Sequence, residues 1–293
     1  MQHGRSLGCV IARRSSCVAF LATAAMITVS AASAEEPALG ATWGHGSHSF
    51  AIATGTPGET GLLERLATEF ADQNDAKVSW YPAGSGQALA LLKQGKVDMV
   101  LAHAPKAEEK AVADGWATGR ALIGSNEFWI VGPKSDPAKV VAATNAADAL
   151  RRISATRSKF VSRGDESGTH QRELALWKSA GLEPAGDWYI VTGDFMTASL
   201  RRADAERAYF LTDSSTFILQ RSELPNLKVL FRGGKDLSNP YHTLYRTQST
   251  PGTQTARRFG EFLLSERGQE LMRKYGRGRY GEPLYLDAAT TAR

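Results

Sequence analysis

Cysteine is nearly absent from this sequence. The 293-residue chain has two, Cys9 and Cys17, both in a segment with the layout of a removable leader. Without them no disulfide and no thiolate metal site can form, so a core alone must hold the protein together. Long hydrophobic runs are also missing. The apolar stretch from Val18 to Val29 is short and rich in Ala and Ser, a poor membrane span, and nothing later is longer. Net charge is small. The formal charge is +5, but residues 1–34 hold three of the 35 Lys and Arg and none of the 30 acids. The remaining 32 bases against 30 acids leave +2, which excludes a nucleic-acid binder that works through a broad basic field. The motifs HExxH, GKS/GKT and GxSxG do not occur, so zincin, P-loop and α/β-hydrolase chemistry have no footing. The one GxGxxG string, Gly276 to Gly281, follows a helical pattern instead of linking strand to helix and is no dinucleotide fingerprint. There is no internal repeat and no low-complexity tract.

What is present begins with the leader. Arg5, Arg13 and Arg14 precede the apolar stretch, and Ala32-Ser33-Ala34 is a small-x-small cleavage site followed by Glu35-Glu36. This predicts an exported, periplasmic protein cut near Ala34. Arg13-Arg14 leaves both the Sec and the twin-arginine routes open. Residues 35–49 are aperiodic and are expected to form a loose arm, with His45 and His48 as solvated side chains instead of metal ligands.

From Ser49 onward, short apolar strands alternate with helical patterns. A strand is expected at 49–54, a turn at 55–60, a helix from Leu62 to Phe70, a strand at 77–81, a helix from Gly84 to Leu92, a strand at 98–101, a helix at 107–114 and a strand at 126–133. The same grammar resumes with a helix at 148–156, strand 160–162, helix 167–180 with Leu174, Trp177 and Ala180 on one face, strand 188–191, helix 196–205, strand 208–211, a helix capped by Asp213, and strand 227–231. A final helix from Pro251 to Tyr275 carries a core stripe of Phe259, Phe262, Leu263, Leu271 and Met272. Repeated strand–helix units predict an α/β fold with mainly parallel sheets. Polar breaks at 134–137 and 239–241 predict two lobes, one of residues 50–133 plus 240–293 and one of residues 134–239, with a cleft between them.

Three loops put Gly with Ser or Thr between a strand and a helix: Thr54-Gly55-Thr56, Gly84-Ser85-Gly86, and the segment from Ser162 to His170 containing Arg163, Ser167 and Thr169. Glycine lets backbone approach a ligand, and helix N-termini offer free N–H groups and about half a positive charge each. Two or three such ends plus Arg163 amount to roughly +2 to +2.5, near the need of a divalent oxyanion. The competing reading is that these hydroxyls are ordinary N-caps and that Asp165 or Glu166 pairs with Arg163. His103, His170 and His242 lack metal spacing. His103 reads as filler at the rim of the cleft, and Ser167, His170 and Asp165 crowd one turn too tightly for a hydrolase triad.

At these residues the chain resembles the substrate-binding component of tungstate ABC importers, the Tup-type tungstate-binding proteins. The similarity covers about Ile52 to Tyr245 and includes GLLERL at 61–66, AGSGQALALLKQGKVDMVLAHAPKAEEKAVADG at 83–115, NEFWIVGPKSDP at 126–137, SRGDESGTHQRELALWKSAG at 162–181, AYFLTDSSTF at 208–217 and NPYHTLY at 239–245. The resemblance implies a type II periplasmic-binding fold and an oxyanion held in the interdomain cleft by an arginine and hydroxyls. The motif's arginine and threonine fall on Arg163 and Thr169. Its Thr-Thr-Thr-Ser loop falls on Ala53-Thr54-Gly55-Thr56, where two hydroxyls are lost. A Gly-Met-Gly loop of the relatives aligns loosely with Phe195-Met196-Thr197 and adds Thr197. Each lost hydrogen bond to a charged group is worth roughly 1.5–3 kcal/mol, so weaker binding, or room for a larger anion, is expected.

The expectation is a non-enzymatic periplasmic solute-binding protein of an ABC importer. It would take tungstate first and molybdate second, between Thr54, Thr56 and Ser85 on one lobe and Arg163, Ser167, Thr169 and Thr197 on the other. No cofactor, no metal ion other than the oxyanion's own and no nucleic acid are expected. The partner is an inner-membrane permease, and the protein is a monomer. The alternatives are a binding protein for an organic carboxylate or phosphate ester, a periplasmic hydrolase using Ser167 or Asp165, and a ligand-sensing adaptor for a membrane kinase.

Overall fold

The computed structural model describes Met1 and residues 38–292. The leader, its cleavage site and both cysteines lie outside the described residues. The chain runs β1 (Ala41–Trp43), β2 (His48–Thr54), α1 (Thr56–Glu59), α2 (Leu62–Asn74), β3 (Ala76–Pro82), α3 (Ser85–Lys93), β4 (Met99–Ala102), α4 (Pro105–Ala113) and β5 (Ala117–Pro133). It continues through α5 (Ala146–Ala155), β6 (Phe160–Ser162), α6 (Gly168–Ser179), β7 (Tyr189–Val191), α7 (Met196–Glu206), β8 (Tyr209–Asp213), α8 (Ser214–Gln220) and β9 (Leu227–Phe231). Then come β10 (Ser238–Arg246), α9 (Pro251–Leu264), α10 (Glu266–Lys274), α11 (Arg277–Tyr280), β11 (Leu286–Asp287) and α12 (Ala288–Thr291).

Local chemistry explains the helices. In α5, Ala146, Ala149, Leu150 and Ile153 are buried at helical spacing, and the Asn145 side chain caps the helix by accepting from the Asp148 N–H. In α2 the buried stripe is Leu62, Leu63, Leu66, Ala67, Phe70 and Ala71. The face expected for α6 is partly corrected: Trp177 is buried, but Leu174 is exposed, and the inward residues are Glu173, Leu176 and Trp177. The single C-terminal helix expected from 251 to 275 is two. Ser265 ends α9 and caps α10, accepting from the Gly268 N–H.

The result is a two-lobed α/β fold. The first sheet has a parallel heart, β3–β2–β4, and the second has β7–β6–β8. All four residues of β4 are buried, as a strand covered on both faces requires. The arm differs from expectation: residues 41–43 form β1, antiparallel to β3, with Trp43 stacked on Trp80 at 6.1 Å. The C-terminal part returns to the first sheet. Phe259 of α9 lies 5.4 Å from Phe50 of β2 and 5.1 Å from Phe70 of α2. The second sheet is backed by Phe160, Trp177, Trp188 and Tyr189, a set of mostly edge-on rings.

The lobes are joined by β5, a 17-residue strand that belongs to both sheets. Up to Glu127 it pairs antiparallel with β10, and from Phe128 it pairs antiparallel with β8. Only residues 126–133 were expected to be a strand. The nine preceding residues carry no alternating pattern, and their register is set by β10. Among the described residues, no helix is long and apolar enough to cross a membrane.

Candidate functional site

The three Gly/Ser/Thr loops lie where strands of the two parallel hearts end and helices begin. β2 delivers Thr54 and Thr56, β3 delivers Ser85 at the start of α3, and β6 delivers Arg163 and, at the start of α6, Ser167 and Thr169. The loops meet. A Cβ built on Gly84 would stand 3.2 Å from the Cβ of Ser167, one on Gly86 would stand 3.2 Å from the carbonyl oxygen of Glu166, and one on Gly168 would come within 2.5–2.8 Å of the His103 ring. Glycine is required at Gly168 by this approach, since no Cβ fits there.

Arg163 is buried, with 4% exposure. Its Nη2 donates to Asp165 Oδ2, and Asp165 Oδ1 also accepts the Ser167 N–H. The Nε of Arg163, the Oγ1 of Thr54 and the Oγ of Ser162 are buried with no hydrogen-bond partner among the described residues, and the first two belong to the loops that meet here. Burying such groups without partners is costly, so these two are donors held ready for an acceptor. Asp165 corrects the charge sum made from sequence. It cancels about one unit, and α1, with four residues, adds little dipole. Arg163 and the ends of α3 and α6 leave roughly +1, so net charge alone would not balance a dianion there, and hydrogen bonds in a dry setting would have to supply the rest.

The loop is sharply turned. Gly164 and Glu166 both have left-handed φ, +64° and +56°. A Cβ at Gly164 would strike Val191 on the neighbouring strand. A non-glycine residue in this region, as at Glu166, is a local strain of the kind that collects at ligand sites.

The remaining expected residues are placed as follows. Ser85 is buried and its Oγ accepts the His103 N–H at 3.0 Å. Thr56 is buried beside the Tyr241 phenol. Ser167 caps α6, its Oγ accepting the His170 N–H. Thr169 is buried in the first turn of that helix. Thr197 is not brought in by any contact: it lies half-buried in the first turn of α7 and makes no hydrogen bond to the other six among the described residues.

Several neighbours were missed or undervalued from sequence. His103 is held in place by neighbours from distant parts of the chain. Its ring lies 4.9 Å from that of Tyr241, and its Nδ1 bonds Asn239 Oδ1 at 2.8 Å. The Asn239 amide donates to Asn126 Oδ1, and the Asn126 amide donates to Asp213 Oδ1 and Ser215. This chain assigns the proton to Nδ1. Burial pushes the imidazole's pKa down, against the pull of the Asn239 bond. Glu59 of α1 has surface open to solvent, but its carboxyl sits among protein atoms. Loss of water raises its pKa, the Arg163 charge opposes the rise, and Asp213 and Asp165 add to it. Glu173, one turn after Thr169, is buried and accepts from Tyr189 Oη at 2.7 Å and Trp177 Nε1 at 3.2 Å. Burial pushes its carboxyl up to about 7. A raised Glu leaves little local trace in a sequence, because its cause is the packing of other segments.

Such a cleft between two α/β lobes defines a solute-binding domain, and residues 31–267 match the family model described as a PBP superfamily domain. The tungstate-binding protein TupA of Peptoclostridium acidaminophilum is 36% identical over 249 residues, covering 83% of this chain and 86% of that protein. The crystal structure of the tungstate ABC transporter from Geobacter sulfurreducens superposes with a TM-score of 0.72 at 37% identity, covering 79% of this chain and all of that one. The tungstate-binding protein TupA from Desulfovibrio alaskensis superposes with a TM-score of 0.69 at 33% identity, over 82% and 98% of the two chains. The chain belongs, within the PBP superfamily, to the family that these tungstate-binding proteins form.

Proposed function

We propose that this protein is a periplasmic receptor that captures a tetrahedral oxyanion, tungstate first and molybdate second, and hands it to the permease of an ABC importer. The observation that carries this is the pair of buried donors without partners, Arg163 Nε and Thr54 Oγ1, in a cleft entered by the N-termini of α3 and α6. Ligand contacts from both lobes favour the closed form, which the permease reads. The lobes divide as 50–133 plus 240–293 and 134–239, the ligand residues are Thr54, Thr56, Ser85, Arg163, Ser167 and Thr169, with Thr197 the weakest member, and the protein acts as a monomer after cleavage near Ala34. The relatives' names and their shared length support the tungstate reading.

A binding role without catalysis fits the geometry. The Ser167 hydroxyl serves as a helix cap, and His170 Nδ1 accepts the Glu166 N–H. His170 Nδ1 is therefore not aimed at the Ser167 hydroxyl as a base. The replacement of two hydroxyls by Ala53 and Gly55 favours one second reading, a larger anion such as a carboxylate or phosphate ester. Titration calorimetry of the mature protein with tungstate, molybdate, sulfate and phosphate tests the proposal. Tight one-to-one tungstate binding is expected, and no heat with any of the four would overturn it in favour of the larger ligand.

A further inference from the structure

A second cationic recess is lined in part by His103 and Gly168. This crevice of about 260 Å³ is lined by the start of α4, with His103 and Lys106, and by α6, with Gly168, Gln171 and Arg172. At about 30 Å³ per water, it has room for a small anion and several waters. No carboxylate lines it.

Several arginines of the fold are held by carboxylates. Arg120 pairs with the buried Glu108, Arg246 with Asp98, and Arg273 with Asp287. Arg172 and Lys106 make no ion pair or hydrogen bond among the described residues. Arg172 is half-buried, with its guanidinium carbon 6.0 Å from the Phe128 ring centroid. One side of the cation thus faces an aromatic ring, while its N–H donors have no protein acceptor among the described residues. Partial loss of water lowers its pKa, and the Asp236 charge offsets this only in part. A guanidinium is costly to desolvate without an anion.

We infer that this crevice is an outer anion site, in which Arg172 and Lys106 hold a small tetrahedral oxyanion beside, and separate from, the inner cleft. The inference adds a site to the proposed function and shares its two-lobe reading. The outer site is open to water, so it binds more weakly than the inner one, and its affinity falls with salt. The ligand is either the cargo itself or ambient sulfate or phosphate, since all present the same oxygens.

The test uses the mature protein with Arg163→Ala, which disables the inner site. Tungstate, sulfate and phosphate are titrated separately, followed by calorimetry and by amide shifts of residues 103–107 and 168–175. Tungsten anomalous scattering from crystals of the same variant locates the ion. Weak, salt-sensitive binding of one anion at Arg172 is expected. It should fall at least tenfold with Arg172→Gln or with Lys106→Gln, and stay within a few-fold with Arg172→Lys. Lys106 is exposed, so its variant reports even if Arg172→Gln disturbs packing on Phe128. A response to tungstate alone identifies the cargo as the ligand, and a response to all three identifies a general oxyanion. No shift at millimolar concentrations of any of them, or binding unchanged in both glutamine variants, would overturn the inference. Loss of tight tungstate binding in the wild type would instead overturn the inner-site reading and leave this result standing.

Discussion

Gly168, at the start of α6, and His103, after β4, meet so closely that a Cβ on the glycine would lie 2.5 Å from the ring's Cε1. The two residues come from different sheets, so their contact exists only while the lobes are together. The absence of a side chain at Gly168 is what permits this approach.

Gly168→Ala is therefore expected to hold the lobes apart. Tungstate affinity should fall by about tenfold to a hundredfold, and small-angle scattering should show no contraction on adding tungstate. Unliganded stability should be unchanged or slightly higher, because alanine suits a helix start at least as well as glycine. A full contraction in the variant would refute the role given to this contact.

Thr54→Val replaces a buried hydroxyl that has no partner in this structure. Losing a polar group already unsatisfied is neutral or stabilising by about 1 kcal/mol. The same change removes a donor to the anion and should weaken tungstate binding by about tenfold. Chemical denaturation and calorimetry together check both signs, and a clear drop in unliganded stability would mean the hydroxyl serves the fold.

Arg163→Gln should lower tungstate affinity by about a hundredfold or more, near 3 kcal/mol at about 1.4 kcal/mol per tenfold. Asp165, left behind, keeps its bond from the Ser167 N–H, so the unliganded melting temperature should fall by only a few degrees. A collapse of that stability would make the Arg163–Asp165 pair structural.

Glu173 predicts a pH effect. Its ordinary pKa is 4.5 and its folded one about 7. Between these values the folded chain binds more protons than the unfolded one. The stabilisation is full below about 4.5, is lost as pH rises toward 7, and changes no further above it. In Glu173→Gln the amide oxygen can still accept from Tyr189 and Trp177 without titrating. Between about pH 5 and about pH 8, the wild type should lose on the order of 3 kcal/mol more stability than the variant, as an upper bound. Parallel urea titrations at the two pH values measure it; equal losses would show that Glu173 titrates normally.

Much of this was legible in the order of residues. Strand–helix alternation, the caps at Asp213 and Ser167, and the glycine loops are local signals, and local signals carry the element spans and three of the site's corners. What escaped was set by distant partners. The strand at 41–43 exists because β3 offers it an edge. The first nine residues of β5 follow β10, whose paired residues lie 115 to 129 positions further on, from Pro240 opposite Ser125 to Arg246 opposite Ala117, and not any pattern of their own. Asp165's cancellation of Arg163 was visible only as an alternative, since two-residue spacing allows a pair without requiring it. His103 was undervalued because Asn239 and Tyr241, which orient it, lie far along the chain.

The strand shared by both sheets has a thermodynamic consequence. Neither lobe can melt while the other stays intact without tearing β5 in the middle. One core group also contains side chains from both sheets, including Phe50 and Phe210. The halves are thereby tied into one cooperative folding unit. Any guest that bridges them lifts the melting of the entire chain through linkage, so a simple thermal scan reads the occupancy of the cleft.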